Sequence, residues 1–479
     1  MLLPLILSTN AQNIGFEIEI VDDSTEITPG IFYNEVNGNG YIGLVKKRAL
    51  FTGLKDPARK EQFIYTIGED GDTISYDFNR VDTLISYGSP MPIRNGDPGY
   101  LMTGLYYPDN DDSLYVIFTR IDTSFNIVWE KIQRFSYYYV TDGLRVMELK
   151  NGDFLMTCSP TNKMFLYKFS ASGDSLDFMH YEGDSAGQVW GLTYNHDSSS
   201  YLVHQLGAFY VSGAPCGVLE FDEDLELVDH FFYEDYLMPE LSTKLLPNGN
   251  LLTVGHYYKA YPEETESMIG VFMYDTTYNL LYENHLTDPS IKAKPAAYAV
   301  DYSCSNCIYI AGTHNFQHIN GTEPTWYYLA KLNDTLGIDF EKYIGGDYYY
   351  WLFSVTASEN GSVLLTGSKA EVGAPWFHHD AYFIELDSLG CITSIPESSN
   401  IQIRDALVYP NPGKDKMYIR TALKENSLQL YDLNGRLVLS CSLDSHITSI
   451  ETDHLLSGTY LYSIIKNNEI IETGKWIKN

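Results

Sequence analysis

One short pattern comes back seven times in this chain: a polar or glycine turn followed by an apolar strand. The copies begin at Gly40-Tyr41-Ile42, Gly99-Tyr100-Leu101, Asp153-Phe154-Leu155, Ser200-Tyr201-Leu202, Asn250-Leu251-Leu252, Cys307-Ile308-Tyr309 and Ser362-Val363-Leu364, 47 to 59 residues apart. A second pattern follows each copy, two strands around a tight polar turn, as in residues 118–129. Its relatives lie at 65–77, 167–178, 219–231, 272–282, 330–340 and 384–395. Each unit therefore reads as four strands, for example residues 144–149, 154–157, 165–169 and 176–181. A lone four-stranded sheet leaves both faces in water, and radial stacking of neighbours covers them. The expectation is an all-β chain with a seven-bladed β-propeller over residues 14–395; six or eight blades, or two stacked sandwiches, are the alternatives. The 40 tyrosines and 22 phenylalanines agree with strands. Neither the Trp-Asp signature of WD40 repeats nor a recurring Gly-Gly of kelch repeats is present, so no named propeller family follows. Residues 15–20 alternate apolar with charged side chains, and the last repeat ends in residues 391–395, stopped by Pro396. These two segments are expected to pair and close the ring.

After a linker at residues 396–400 the texture changes. Residues 401–479 hold short β-branched or aromatic runs between Gly, Asn, Asp and Ser turns, the spacing of a small antiparallel, Ig-like β-sandwich. Pro410 and Pro412 cannot donate ladder hydrogen bonds, which places Tyr409 to Pro412 on an edge. Asn434-Gly435 between apolar runs is a hairpin signal. Four groups stand in fixed order: Tyr409-Pro410-Asn411-Pro412, then Asn434-Gly435, then Gly458-Thr459-Tyr460, then Lys475-Trp476-Ile477-Lys478. In that order and spacing residues 401–479 resemble the C-terminal sorting domain, type A, of proteins exported through the type IX secretion system of the Bacteroidota. The resemblance implies transit through the periplasm, the type IX machinery as a partner, removal of the sorting domain on the way out, and a protein that is secreted or held at the outer cell surface. Residues 1–12, with Leu2, Leu3, Leu5, Ile6 and Leu7 before Ser8-Thr9-Asn10-Ala11, read as the apolar core and cleavage region of a secretory signal peptide whose basic start lies upstream.

Charge narrows the partners. With 63 acidic against 31 basic residues the net charge is −32, which repels nucleic acid and anionic membrane surfaces. No apolar run is long enough for a transmembrane segment.

Chemistry is sparse. Gly38-Asn39-Gly40-Tyr41-Ile42-Gly43 matches the dinucleotide glycine pattern, but a strand follows where a helix should start. Gly183-Asp184-Ser185-Ala186-Gly187 matches a nucleophile elbow without the strand–turn–helix context. Cys304-Ser305-Asn306-Cys307 with His314 and His318 offers four zinc ligands, yet the strand between them carries His314 away from the cysteines. A local Cys304–Cys307 disulfide or two buried thiols is the better reading. Asp109-Asn110-Asp111-Asp112 lacks the Gly and Glu of a calcium loop. No metal, cofactor or catalytic residue is assigned.

The loops carry more information. Connections between first and second strands, and between third and fourth, are short. Those on the opposite face are long and aromatic, and function sits on long loops held by a rigid scaffold. Candidate ligand-binding residues there are Trp376, Phe377, His378, Trp351, Tyr349, Trp190, Tyr257, Tyr258 and Phe316. Two functions compete: a non-catalytic binding propeller that takes a glycan or protein ligand on this face, and a secreted propeller enzyme, a hydrolase or lyase, acting on glycans. The repeated Ser-x-Asp-x-Gly-x-Thr-Trp boxes of sialidase-type propellers are missing, and binding is the favoured reading.

Overall fold

The computed structural model describes residues 17–20, 25–27, 31–33, 40–48, 60–68, 73–78, 85–106, 114–135, 144–159, 163–182, 188–206, 217–233, 237–258, 267–288, 291–316, 322–374, 379–391, 403–404, 406–409, 411–421, 426–433, 435–445, 447–466 and 469–479. Among them every regular element is a strand, and the strands form small antiparallel sheets.

Among the described residues the strands up to Leu386 fall, numbered along the chain, into seven groups: three separate four-stranded sheets, two five-stranded sheets, and two four-stranded groups joined, together with Ile403–Arg404, in one nine-stranded sheet. The third is Arg145–Glu148, Phe154–Cys158, Lys163–Phe169 and Ser175–Glu182. The fourth is Gln188–Tyr194, Tyr201–Leu206, Gly217–Phe221 and Leu227–Phe232. Leu237–Leu245, Leu251–Tyr258, Ser267–Tyr274 and Leu280–Leu286 make the fifth. The sixth holds Ala293–Cys304, Cys307–His314, Trp326–Leu332 and Ile338–Gly345. In the first and second sheets one edge position is shared by two short strands, Thr25–Ile27 with Ile31–Tyr33 and Ile85–Tyr87 with Met91–Ile93. A single parallel bridge, Tyr298 to Ser354, ties the inner strands of the sixth and seventh sheets together.

The seventh sheet shows where the chain departs from expectation. Its strands Tyr349–Ala357, Val363–Ala370 and Asp380–Leu386 are completed by Glu17–Ile20, which pairs antiparallel with Asp380–Leu386, Glu17 opposite Ile384 and Ile20 opposite Ala381. The N-terminal strand thus takes the fourth position of the last sheet, as foreseen, and its partner among the described residues is the third strand, where residues 391–395 were expected. After that third strand Asp387 accepts from the backbone N–H groups of Leu389 and Cys391, and Gly390 takes φ 73°. Residues 392–395 lie outside the described residues, as do the signal-like residues 1–12.

One local device recurs in the turns between third and fourth strands. Asp122, Asp222, Asp275 and Asn333 each accept backbone N–H bonds from residues two and four positions on. The residue between those donors is left-handed: Phe125, Leu225, Tyr278 and Leu336 have φ between 59° and 64°. That conformation costs a non-glycine residue about 1–2 kcal/mol, and burial offsets it. Leu225 and Leu336 are buried, Phe125 packs on Tyr76 of the preceding sheet, and Tyr278 stacks on Phe231 of the sheet before its own. The bulky side chain is a plug between sheets. In the turns between first and second strands of the third, fifth and seventh sheets the left-handed position is given to glycine, Gly152, Gly249 and Gly361 at φ 84–87°, whereas in the fourth sheet Ser198 stands at φ 61°. Ser198→Gly is expected to stabilise the protein by about 0.5–1 kcal/mol, read as a higher denaturant midpoint at unchanged slope.

Neighbouring sheets touch in order. Glu148 of the third accepts from the N–H groups of Arg94 and Asn95 in the second. Lys150 N–H donates to Tyr194 Oη, and Tyr278 Oη to Glu220. Asn284 donates to the Leu336 carbonyl, and Tyr309 to that of Gly361. The last sheet meets the first: Tyr41 Oη donates to Glu385 Oε1 at 2.7 Å, inside an apolar cluster shared by Tyr41, Val45 and Ile67 with Leu364, Ala381 and Phe383.

The C-terminal part is a sandwich of two sheets, Ala406–Tyr409, Lys416–Thr421 and Ile447–Glu451 against Leu437–Leu443, Asn426–Asp432, Gly458–Lys466 and Glu469–Lys478. Trp476, Met417, Ile419, Leu428, Leu430 and Ile464 fill it, all fully buried. It is not a free appendage. Ile403–Arg404 adds a strand to the outer edge of the sixth sheet, and Tyr418 packs on that sheet's core.

Candidate functional site

Strand direction puts the starts of first and third strands, and the ends of second strands, on the long-loop face. In the seventh sheet this brings Trp351 opposite Ser368, with His379 just before Asp380–Leu386. In the sixth it places Lys294 near the start of Ala293–Cys304 and Phe316 just past Cys307–His314. The two sheets meet there. The Lys294 ammonium lies 4.9 Å from the Phe316 ring centre and 5.1 Å from that of Trp351, and the two rings are 5.6 Å apart at 56°. A cation held against two aromatic faces is favoured by their quadrupoles. Trp351 also meets Phe353 at 5.2 Å and His379 at 6.5 Å, and the His379 ring nitrogen Nδ1 bonds Ser368 Oγ at 3.0 Å. Phe316 and Trp351 are half-buried, so each keeps a ring surface toward solvent.

The other candidates fall into different places. Tyr349 packs on His379 but is only 4% exposed, and burial pushes its phenol up to about 12. It supports the cluster and offers no ring surface. Trp190 lies on the first strand of the fourth sheet, 5.7 Å beneath the Arg145 guanidinium, whose Nε donates to the Trp190 carbonyl at 3.0 Å. Arg145 also covers Tyr298 of the sixth sheet at 5.3 Å, and Tyr298 meets Phe32 of the first. These contacts link side chains of the third, fourth, sixth and first sheets. Tyr257 stacks on His285 at 3.9 Å within the fifth sheet and, like Trp190, packs on the apolar cluster shared by the fourth and fifth sheets. Trp376, Phe377 and His378, and the side chain of Tyr258, lie outside the described residues.

Sequence reasoning names His379 only as one of the long-loop aromatics and does not single out Lys294 or Arg145. Each of these last two stands alone among apolar or small neighbours, with no spacing that marks it.

Cys304 and Cys307 form a disulfide across the turn joining the first two strands of the sixth sheet. His314 is fully buried beside Trp326 and Tyr343, and burial lowers its pKa to about 3. Among the described residues no group of three or more His, Cys, Asp or Glu is placed to hold a metal. Asp109 to Asp112, His318 and the 183–187 segment lie outside them.

In the C-terminal sandwich, motif residues far apart in sequence meet. Asn411 donates to the Lys475 carbonyl at 2.7 Å and accepts from Ile477 N–H at 2.9 Å, and Gly413 pairs with the same strand. Lys478 donates to the Lys414 carbonyl and is 3.8 Å from Asp415. Gly435 takes φ 77° in the turn where Asp432 holds Arg436, and Tyr460, opposite both Asp432 and Trp476, donates to the Leu456 carbonyl. Asn434, Pro410 and the side chain of Tyr409 lie outside the described residues. Of the motif residues inside them, Asn411, Pro412, Gly435, Gly458 and Lys475 are exposed, whereas Tyr460 and Lys478 are buried.

Residues 407–479 match the family model of the secretion system C-terminal sorting domain. This tail directs the chain to type IX export, and the protein is secreted or attached at the cell surface. No helix among the described residues is long and apolar enough to cross a membrane. No curated protein matches the chain. Solved structures similar to it include PorZ, a bacterial surface component of the type IX secretion system of Porphyromonas gingivalis, at 10% identity and a TM-score of 0.35, covering 92% of this chain and 69% of that one. A puromycin hydrolase variant aligns at 11% identity and a TM-score of 0.41, over 88% of this chain and 57% of that one.

Proposed function

We propose that residues 14–395 form a seven-bladed β-propeller, joined by residues 396–400 to the sorting sandwich of 401–479, and that it acts after export as a non-catalytic binding protein for a glycan or protein ligand. Support for the ring comes from the unbroken series of contacts from first sheet to seventh and back to the first through Tyr41 and Glu385. Support for binding comes from one observation: Trp351 and Phe316 frame Lys294 on the long-loop face, where two sheets meet.

The arrangement suits a sugar. Flat rings stack on apolar C–H faces, while an ammonium donates to hydroxyl oxygens at the ring's edge. A net charge of −32 disfavours polyanionic glycans, which leaves neutral or basic ones as the ligand class. The test is a glycan array probed with the full chain and with Trp351→Ala/Phe316→Ala. Loss of every glycan signal with a melting temperature within a few degrees of the parent is the expected result. Unchanged binding by the double variant places the site elsewhere.

A further inference from the structure

The contact between the sorting sandwich and the sixth sheet contains a fully buried ion pair. Arg420 Nη2 lies 2.9 Å from Glu341 Oε1, with side chains 1% and 0% exposed. Arg420 comes from Lys416–Thr421 of the sandwich, Glu341 from Ile338–Gly345 of the sixth sheet. Around them the site is built from the sheet's side. Tyr328 Oη donates to the same Glu341 oxygen, Tyr343 packs on Tyr328 at 5.4 Å, and His314 closes on Tyr343 at 5.2 Å. A carboxylate buried at the edge of an apolar sheet is costly unless a cation is delivered to it. Here the tail delivers it. Ile403–Arg404 adds backbone pairing on the same outer strand.

We infer that the sixth sheet carries a receptor site for the tail, with Glu341 as its anchor for the Arg420 guanidinium, so that the sandwich is a docked subunit that stays in place when the peptide connecting it to the sheets is cut. Its consequence for export is that the tail is displayed in one orientation only on a body whose sixth sheet has folded. A chain misfolded there leaves Arg420 without its anchor.

The test uses the full chain with a protease recognition sequence placed within residues 396–400. After complete cleavage at micromolar concentration, the two pieces should co-elute on gel filtration at the volume of the uncut protein. Arg420→Met changes the tail alone and strands a buried carboxylate, so it should weaken retention by roughly 10²–10³-fold and release the tail on dilution. Adding Glu341→Met removes the stranded charge and should restore retention. Separate elution of the cut wild-type pieces overturns the proposal. So does retention by Arg420→Met equal to wild type, or a double variant that holds the tail no better than Arg420→Met alone.

Discussion

A chain ended after Ile395 should be lost from the cell surface and accumulate in the periplasm, detected by fractionation and by protease accessibility on intact cells. The tail matched to the sorting family is the part that carries export, and the truncated chain lacks all of it. Truncation has a second consequence, because it uncovers Glu341 and unpairs the outer edge of the sixth sheet. A second variant, which keeps the whole chain but also uncovers Glu341 when the tail unfolds, is Trp476→Ala. Trp476 is completely buried at the centre of the sandwich, 6.0 Å from Tyr460 and far from Arg420 in the sequence. Emptying such a site costs about 3–5 kcal/mol, and a domain of this size has only about that much to lose. Trp476→Ala should thus unfold the tail and abolish surface delivery while leaving the seven sheets with native near-ultraviolet dichroism. Normal delivery of either variant removes the export role from residues 407–479.

Much of the architecture was legible because it depends on local chemistry repeated many times. Turn glycines, Asx-type turns and strand alternation recur in register, so the four-strand unit and the short-turn face could be read from spacing. The left-handed plugs could have been read as well: an Asp or Asn, two polar residues, then a large apolar residue where glycine is expected. Pairings over long distance were another matter. Glu17–Ile20 pairs with the third strand of the last sheet because that edge is open, and no short-range signal says so. Arg420 was illegible for a related reason. In Lys416–Thr421 alternation sends Met417 and Ile419 inward and Tyr418 and Arg420 outward, the pattern of a solvent-facing arginine. Only the docking of the outward face on the sixth sheet turns it into an interior residue. Trp351 and Phe316 could be named from their loops, but the lysine between them comes from another strand, and convergence across sheets leaves no trace in one sequence.

Deleting residues 1–24 should destabilise the whole seven-sheet body rather than one edge of it. The strand lost, Glu17–Ile20, makes four register pairs with Asp380–Leu386, where Tyr382, Phe383 and Ile384 have no exposed surface. Ladder hydrogen bonds at about 0.5–1.5 kcal/mol each put the direct loss at roughly 2–6 kcal/mol. The ion pair of Lys369 with Glu19, at 2.6 Å, goes too, adding little because both groups reach solvent. Geometry makes the effect global. The same three-stranded remnant carries Glu385 and Phe383, which hold Tyr41 and Val45 of the first sheet. In a closed ring, loosening the last sheet frees the first, and both then expose apolar faces and an unpaired edge that invites association between copies. The expected result is a single, cooperative fall in the unfolding midpoint of the full body, with concentration-dependent aggregation. Hydrogen exchange supplies the decisive reading: protection should drop in Tyr41–Arg48 as much as in Asp380–Leu386. Loss confined to Asp380–Leu386, with the first sheet as protected as before, would mean the sheets form an open stack and the ring is wrong.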